Sequence, residues 1–537
     1  MDTVSQPVHS QEGAPSGARH RAVVCMMTSL LLGLTYGLGL NLVNVNLTAI
    51  QGTLGATAVE SNWLLTAYYT TNLSAILLLF KVRMQFGLVP FADLGIVVFL
   101  ILSITQLFVH HLGLEIMMRA ALGLASAAIS SLTILYMLEA FPESQRVFGL
   151  LLGFLNLQLG APLSRIISEN LLEIGLWRGL QFVDIGLAVL SLAAINIVRL
   201  TPVPLVRTFN RGDEIAFPVY ACSLALFSIV LTQGRSYWWT DAQWLGICLA
   251  TAIGLAGLFV LIELHRDEPM LDLRWLARPF MIRFFIATLL VRIVLAEQSV
   301  GAVGLLNVAG LNNDQMHGLF GWILLGTVAG FLLTIIAVLF KKVDLPGLAA
   351  PLLIIIAAVI DSFSTGLTRS GNFYFTQLLL ATATSLFLSS TLVIGITQVL
   401  KSGTKYLISF ISIFVMTQSL GSLMGTALFS TFLADRQKLH YAAIVEHLAL
   451  SDPQVSLRIA QLSGAFARVS PDPTQRAASG LATFAQQVNR ESFVLAYNDV
   501  FQLVAIIAAY VFVVLLIIKL VVARRAYKQL QPDGRTH

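Results

Sequence analysis

The chain has 537 residues, of which 57% are hydrophobic and 11% charged, with a mean hydropathy of +0.81. Soluble proteins carry about 25% charged residues, so this composition excludes a soluble enzyme and predicts an all-α polytopic membrane protein. The net charge of +5 is scattered, with no basic helix interleaved with aromatics, so nucleic acid is excluded as a partner.

Residues 1–20 are polar, and the apolar run from Ala22 is too long for a cleavable signal, so it is expected to remain as the first span. Fourteen stretches approach the roughly 20 residues that cross a bilayer: about 22–45, 62–80, 90–109, 113–138, 147–168, 179–199, 215–233, 241–263, 281–305, 318–340, 346–366, 372–398, 404–433 and 496–522. Lys and Arg concentrate in segments of one parity, including Arg19, Arg21, Lys81, Arg83, Arg146, Arg199, Arg207, Arg266, Lys341, Lys405, Arg525, Lys528 and Arg535. Short loops of the other parity carry only Arg165, Arg178, Arg235 and Arg369. The positive-inside rule then places both termini in the cytoplasm.

Two regions break the rhythm of span and short loop. Residues 264–280 are too polar to cross, and Met270, Leu271, Leu273, Trp275 and Leu276 suggest a linker lying on the inner membrane surface. Residues 435–495 form a long outer segment, read either as a cap or docking element or as a solvated excursion. Ser451 and Ser470 are candidate caps for short helices starting near Pro453 and Pro473.

Ionisable groups inside spans are costly in lipid and usually face a protein interior or a cavity. Span 4 carries Glu115 and Arg119 at i and i+4, so the two can neutralise each other on one face. Gly123 and the small residues 125–128 follow, which permits close helix approach. Arg119 is read as a charge facing a central cavity, with a structural ion pair as the competing reading. In span 1, Asn41 and Asn44 share a face and either line that cavity or join helices, whereas Asn46 lies nearer the outer end. In span 5, Gly149, Gly153, Gly160 and Pro162 predict a bend or a tightly packed gate. Span 9 holds Arg292, Glu297 and Gln298, and Glu297 is the carboxylate of the second half best suited to carry a proton. Asp184 falls in the first turns of span 6, and Asp361 near the end of span 11 is expected at a wetter level. Cys25, Cys222 and Cys248 read as small apolar residues, and His110–His111 is a weak metal signal, so no metal and no cofactor are expected.

Several stretches together resemble the fourteen-span drug:proton antiporter family of the major facilitator superfamily. They are RAALGLASAA at 119–128, LGAPLS at 159–164, LWRGLQFVDIGL at 176–187, TQGRSYWWTDAQW at 232–244, DEPMLDLRWL at 267–276, QSLGSLMGTALFSTF at 418–432 and FAQQVNRESFVLAYNDVF at 484–501. The resemblance implies a major facilitator fold: a six-helix bundle over 22–199, two additional helices over 215–263, the linker 264–280, and a second six-helix bundle over 281–522, with cytoplasmic tails 1–21 and 523–537. It implies export of small molecules in exchange for protons by alternating access. Substrate contacts then fall on Asn41, Asn44, Arg119, Gln158 and Gln418, and gating on Lys81, Arg83, Gly87, Gly160 and Pro162. A periplasmic adaptor and an outer-membrane channel are partners in some members of the family.

Three departures bear on mechanism. The span-1 aspartate of the family falls on Gly39, which leaves span 1 without a carboxylate. The loop after span 2, FKVRMQFG at 80–87, keeps Lys81, Arg83 and Gly87 but has no acid, so the salt-bridge latch is expected to be altered. Ser164–Arg165 stands where the family has two glycines. Proton coupling is therefore expected at Glu115 or Glu297. The sequence points to export of an amphipathic or anionic small molecule across a bacterial inner membrane. The alternatives are a dedicated metabolite or siderophore exporter with atypical or absent proton coupling, and a non-transporting membrane sensor or assembly protein.

Overall fold

A computed structural model describes residues 16–530 except 176, 203–204, 206–208, 404–405 and 450. Arg207, Lys405, Arg535, residues 1–15 of the expected N-terminal tail and 531–537 of the C-terminal one lie outside the described residues, as do the side chains of Trp177, Arg525 and Lys528. Fourteen helices among the described residues are long and apolar enough to cross a membrane. Spans 1–7 are Arg19–Val45, Ala58–Phe86, Leu88–Gln106, Leu112–Glu139, Glu143–Ser168, Arg178–Ile197 and Asp213–Gln233. Spans 8–14 are Gln243–Leu264, Pro279–Val308, Asp314–Leu339, Asp344–Asp361, Ser370–Ser402, Leu407–Glu446 and Pro473–Val521. The side from which span 1 starts and at which span 14 ends is called the near side below, and the opposite side the far side.

Local chemistry sets the helix ends. Thr57 and Glu60 form a capping box at the start of span 2, with the Glu60 amide donating to Thr57 Oγ1 at 3.3 Å and the Thr57 amide to Glu60 Oε2 at 2.9 Å. Span 2 ends at Gly87, whose φ of +91° turns the chain straight into span 3. Span 5 is broken at Leu159 into Arg146–Gln158 and Gly160–Gly175, so Pro162 sits in the first turn of a new helix, where a missing donor costs little. Span 9 is broken twice, into Pro279–Val294, Glu297–Val300 and Ala302–Val308.

The helices form two bundles. In the first, span 4 lies at the centre and packs on spans 1, 2, 3 and 5 around Leu122, Ile129, Leu132 and Tyr136. In the second, span 12 packs between spans 10 and 11, and span 14 lies against spans 11 and 13. Span 5 meets spans 10 and 12, and span 2 meets span 13. On the near half of this seam one apolar cluster joins the bundles: Leu151 and Phe154 of span 5 with Phe331, Leu392, Phe410 and Phe414. Span 7 brackets the seam, packing on spans 2 and 13, and span 8 lies outside it. Gln233 donates to Thr66 Oγ1 at 2.9 Å, Ser74 to the Ala221 carbonyl at 3.2 Å, and Trp239 Nε1 to Thr431 Oγ1 at 2.8 Å. These bonds tie the added pair to both bundles.

The structure corrects two expectations. The apolar residues read as holding the linker on the membrane surface pack into protein instead. Met270, Leu271, Trp275 and Leu276 are buried in protein, because Trp275 stacks on Tyr406 at 4.9 Å and the Asp272 amide donates to Ser409 at 2.9 Å. The long segment 435–495 is mostly a continuation of spans 13 and 14. The 40-residue helix Leu407–Glu446 runs about 60 Å and the 58-residue helix Pro473–Leu530 about 87 Å, against about 30 Å of hydrocarbon. Both rise on the far side, clasped by Asp499, which accepts from Arg436 at 2.5 Å and lies 2.6 Å from His440 Nε2. A further helix, Pro453–Ala465, packs on the second of them. Its cap is Asp452 rather than Ser451, since the Asp452 carboxylate accepts the Gln454 amide at 2.8 Å. Asp472 rather than Ser470 takes the same role before Pro473: Thr474 Oγ1 donates to it at 2.7 Å and the Thr474 amide at 2.9 Å. These bonds hold the Asp472 carboxyl below its ordinary value.

Candidate functional site

Arg119 sits seven residues into span 4, about 10 Å from its far-side end. One turn further, Gly123 brings span 4 into backbone contact with span 2: a Cβ there would stand 2.4 Å from the Tyr68 carbonyl oxygen. The contact carries the Tyr68 ring over the guanidinium, whose carbon lies 4.7 Å from the ring centroid. A desolvated cation–π contact of this kind is worth about 2 kcal/mol. Arg119 Nη1 donates to the Gly39 carbonyl of span 1 at 3.1 Å. The residue is 1% exposed, and Nε and Nη2 are buried without partners. Arg119 is therefore enclosed by helices in this structure and does not face an open cavity.

Its expected partner is elsewhere. Glu115 is buried and accepts from Gln106 of span 3, and no ion pair joins it to Arg119 among the described residues. A second carboxylate within electrostatic reach of the arginine comes from span 6. A Cβ built on Gly39 would lie 3.7 Å from Asp184 Oδ1. Asp184 is 5% exposed and this oxygen has no partner. One turn before it, Gln181 is likewise buried with both amide atoms unpartnered. Span 6 packs directly on span 1, and Thr35 and Ser191 bond at 2.9 Å across that contact. Phe99 of span 3, Arg119 of span 4 and Asp184 of span 6 thus converge on a residue of span 1 that has no side chain.

The remaining predicted contact residues are dispersed. Asn41 donates to its own helix at the Gly37 carbonyl, 2.8 Å away. Asn44 is exposed, whereas Asn46 is buried and donates to Leu42 at 2.8 Å. Gln158 is half-buried at the break in span 5. Gln418 accepts through its backbone carbonyl from Arg292 Nε at 3.2 Å, and its side-chain Nε2 is buried without a partner. Arg292 lies on Gly421, whose missing Cβ leaves room for the arginine stem. Tyr69 lies within electrostatic reach of both Arg119 and Arg292, one in each bundle. Glu297 sits at the second break of span 9 against Gly301, with Oε1 unpartnered, and Asp361 of span 11 is close enough to interact with it. Asp361 is 4% exposed and not at a wetter level, because spans 12 and 14 cover the end of span 11.

Gly160 meets Gly37 of span 1 so closely that a Cβ on it would lie 2.4 Å from the Gly37 Cα. On the near side Lys81 Nζ lies 2.5 Å from Asp213 Oδ2, at the first residue of span 7. Asp213 also takes Arg266 at 2.6 Å, and Arg266 reaches Glu263 at 2.8 Å. Burial works against the Arg266 charge, but Asp213 and Glu263 offset it and hold the guanidinium above its ordinary value. The acid missing from the loop after span 2 is thus supplied by the added helix pair. Arg83 covers the Phe80 ring at 4.9 Å, and a Cβ on Gly87 would meet Leu205 at 3.2 Å. On the far side Arg165 bridges the bundles, donating to Asn313 at 3.2 Å over the Phe320 ring. Asp213 and Tyr68 had no marked sequence signal. Asp184 was visible as a lone acid in an apolar span, but its neighbours were not.

No protein-family model matches the chain. The chain is 22% identical over 493 residues to the multidrug export protein EmrB of Escherichia coli K12, covering 88% of this chain and 90% of that protein. It is 23% identical over 476 residues to EmrB of Haemophilus influenzae, covering 86% and 89%. Among solved structures it resembles a bacterial homolog of the human lysosomal transporter Spinster, at 13% identity and TM-score 0.53 over 94% of this chain and 98% of that one. It also resembles an auto-inhibited POT family peptide transporter, at 13% identity and TM-score 0.54 over 96% and 99%. These structures share the fold of the chain, and the EmrB proteins share detectable sequence identity with it over nearly the whole length. The chain is a multi-pass membrane protein with fourteen candidate spans, similar in sequence to the EmrB multidrug export proteins over nearly its whole length and in fold to these solved transporters.

Proposed function

We propose that this protein exports amphipathic or anionic small molecules across a bacterial inner membrane, in exchange for protons, with the near side cytoplasmic. The observation that carries this reading is the homology to multidrug export proteins over 88% of the chain, joined to a buried arginine whose donors are not all spent. Residues 22–199 and 281–522 act as the two rocking bundles, with 215–263 and the linker 264–280 between them. The near-side ties of Lys81, Asp213 and Arg266 and the far-side tie of Arg165 to Asn313 are ones that alternating access must break and remake in turn. Arg119 is the polar contact for substrate, with Asn41, Asn44, Gln158 and Gln418 entering as the bundles part. The far-side helices of 435–495 are the surface available to a periplasmic adaptor.

Reconstitution of the full chain into proteoliposomes tests this reading. Rhodamine 6G as an amphipathic cation and carboxyfluorescein as an amphipathic anion are expected to move only in protein-containing vesicles, and faster under an opposing proton gradient. Binding of both probes without flux under any gradient favours the sensor alternative. Flux that ignores collapse of the proton gradient favours an uncoupled exporter.

A further inference from the structure

We infer that Asp184 is the proton-exchanging carboxylate of the first bundle, acting against Arg119 across Gly39. The inference deepens the proposed export reading and rests on it for its transport arm. Three observations carry it. Asp184 is an acid 5% exposed, one oxygen of which has no hydrogen-bond partner. Arg119 is a cation 1% exposed, two nitrogens of which have none. Both approach the same glycine, one through the carbonyl at 3.1 Å and the other at 3.7 Å from where a side chain would begin. A Cβ on residue 39 would press on the Phe99 ring of span 3 at 3.2 Å and touch Asp184 Oδ1 at ordinary contact distance, so a side chain larger than alanine would compete with the acid for this space.

Burying charges with unspent donors and acceptors is expensive unless they are paired in some state of the molecule. An ionised Asp184 drawn onto Arg119 satisfies both groups. A protonated Asp184 releases Arg119 to an anionic or polar ligand. The proton moves between Asp184 Oδ and water when the far side opens, and no other bond is made or broken. Movement of spans 1, 4 and 6 relative to one another then differs between the two states, which is the differential interaction that coupling requires.

The surroundings of Asp184 support this assignment. On spans 2 and 4 the groups facing this point are Tyr68, beneath Arg119, and Arg119 itself. Tyr36 of span 1 and Tyr69 of span 2 lie within reach of Tyr68 and Arg119. Glu115 accepts from Gln106 through Oε1 and stays within electrostatic reach of Arg119, with Oε2 unpartnered, whereas Arg178 is turned to His110 at the far-side surface and Arg165 to Asn313. Asp93 of span 3 and Glu139 of span 4 lie toward the near side, around Tyr136. Among the described side chains, Asp184 is the carboxylate directed at Gly39. Glu297 and Asp361 form a separate acidic pair in the other bundle.

The test has two arms on the full-length protein. In proteoliposomes, the ratio of rhodamine 6G flux with and without an opposing proton gradient is compared for wild type, Asp184→Asn and Asp184→Glu. We expect that ratio to fall toward one in Asp184→Asn, at least a tenfold loss of gradient acceleration, and to be regained in Asp184→Glu with a displaced pH midpoint. An Asp184→Asn protein that keeps the wild-type ratio overturns the inference. The second arm reads the proton directly, by infrared titration of the carboxylic carbonyl band in nanodiscs without any substrate. A titrating band lost in Asp184→Asn and displaced in pH by Arg119→Gln supports the inference, and identical titrations in all three overturn it. If wild type moves neither rhodamine 6G nor carboxyfluorescein, the export reading fails for those probes, and the infrared arm alone decides the role of Asp184. If Asp184→Asn does not assemble, the displaced midpoint of Asp184→Glu takes its place.

Discussion

Arg119 illustrates how little a single charge says until its neighbours are known. A lysine at 119 keeps a positive charge but loses the planar donor fork that reaches the Gly39 carbonyl and lies under Tyr68. Arg119→Lys is therefore expected to retain membrane abundance and lose most of its flux. Arg119→Gln, which also leaves Asp184 without an opposing charge, is expected to lose at least tenfold. Quantitative flux normalised to protein in the vesicles checks both, and wild-type flux in either variant refutes a transport role for Arg119. Glu297 lies in the other bundle beside Asp361, at a break in span 9, so it answers a different question. Glu297→Gln is expected to slow transport without abolishing the response to a proton gradient, read as the same gradient ratio. These residues were legible as chemistry in the sequence, because a charge in an apolar run is conspicuous. Their pairing was not: the i, i+4 spacing of Glu115 and Arg119 suggested a partnership that Gln106 and Gly39 divide between them.

At the scale of helices, contact is controlled by residues without side chains. Spans 1 and 5 touch at Gly37 and Gly160, and a Cβ on either would fall within 2.8 Å of backbone atoms of the other. Gly160→Val is expected to destabilise the first bundle by about 1–3 kcal/mol through overpacking, measured as a lower melting temperature in detergent. An equal melting temperature would mean that the two helices separate more freely than this contact implies. The near-side latch makes a prediction of another kind. Asp213 is shared by Lys81 and Arg266, so Asp213→Ala removes the carboxylate common to two partly buried cations, while Arg266 keeps Glu263. Removing one partner from such a buried network costs about 3–5 kcal/mol, enough to shift the population toward near-side opening. A cysteine placed at Ser409, with Cys25, Cys222 and Cys248 replaced by serine, is expected to react faster with an impermeant maleimide from the near side in Asp213→Ala. Unchanged labelling would show that the latch does not hold that side shut. The loop at 80–87 announced a missing acid, but which helix would supply one depended on how span 7 docks against span 2.

For the whole molecule, the two bundles, the added pair and the buried linker form one body closed near the near side by Phe154, Phe331, Phe410 and Trp275. The far-side extension stands apart from that body. Helix Pro453–Ala465 packs on the extended start of span 14 rather than on the bundles. Replacing residues 448–471 by a short glycine–serine turn is therefore expected to leave proteoliposome flux within about twofold of wild type. Loss of export from intact cells with flux retained in vesicles would identify this extension as a docking surface. Loss in both assays would instead make it part of the transport body.

The sequence by itself determined that the chain crosses a membrane fourteen times, since apolar length is a local property that hydrocarbon thickness reads directly. It also determined the bend of span 5 beside Gly160 and the presence of Arg119, because backbone freedom and charge are carried by single residues, whereas the breaks of span 9 were not read from it. The tertiary structure decided which acid meets which base. Asp184 and Asp213 lie far along the chain from the groups they approach, and no periodicity within one helix encodes the packing of span 6 on span 1 or of span 7 on span 2. It also decided that most of 435–495 extends spans 13 and 14 around a further helix, because helices continue where paired neighbours and caps support them, as Asp499, Asp452 and Asp472 do here.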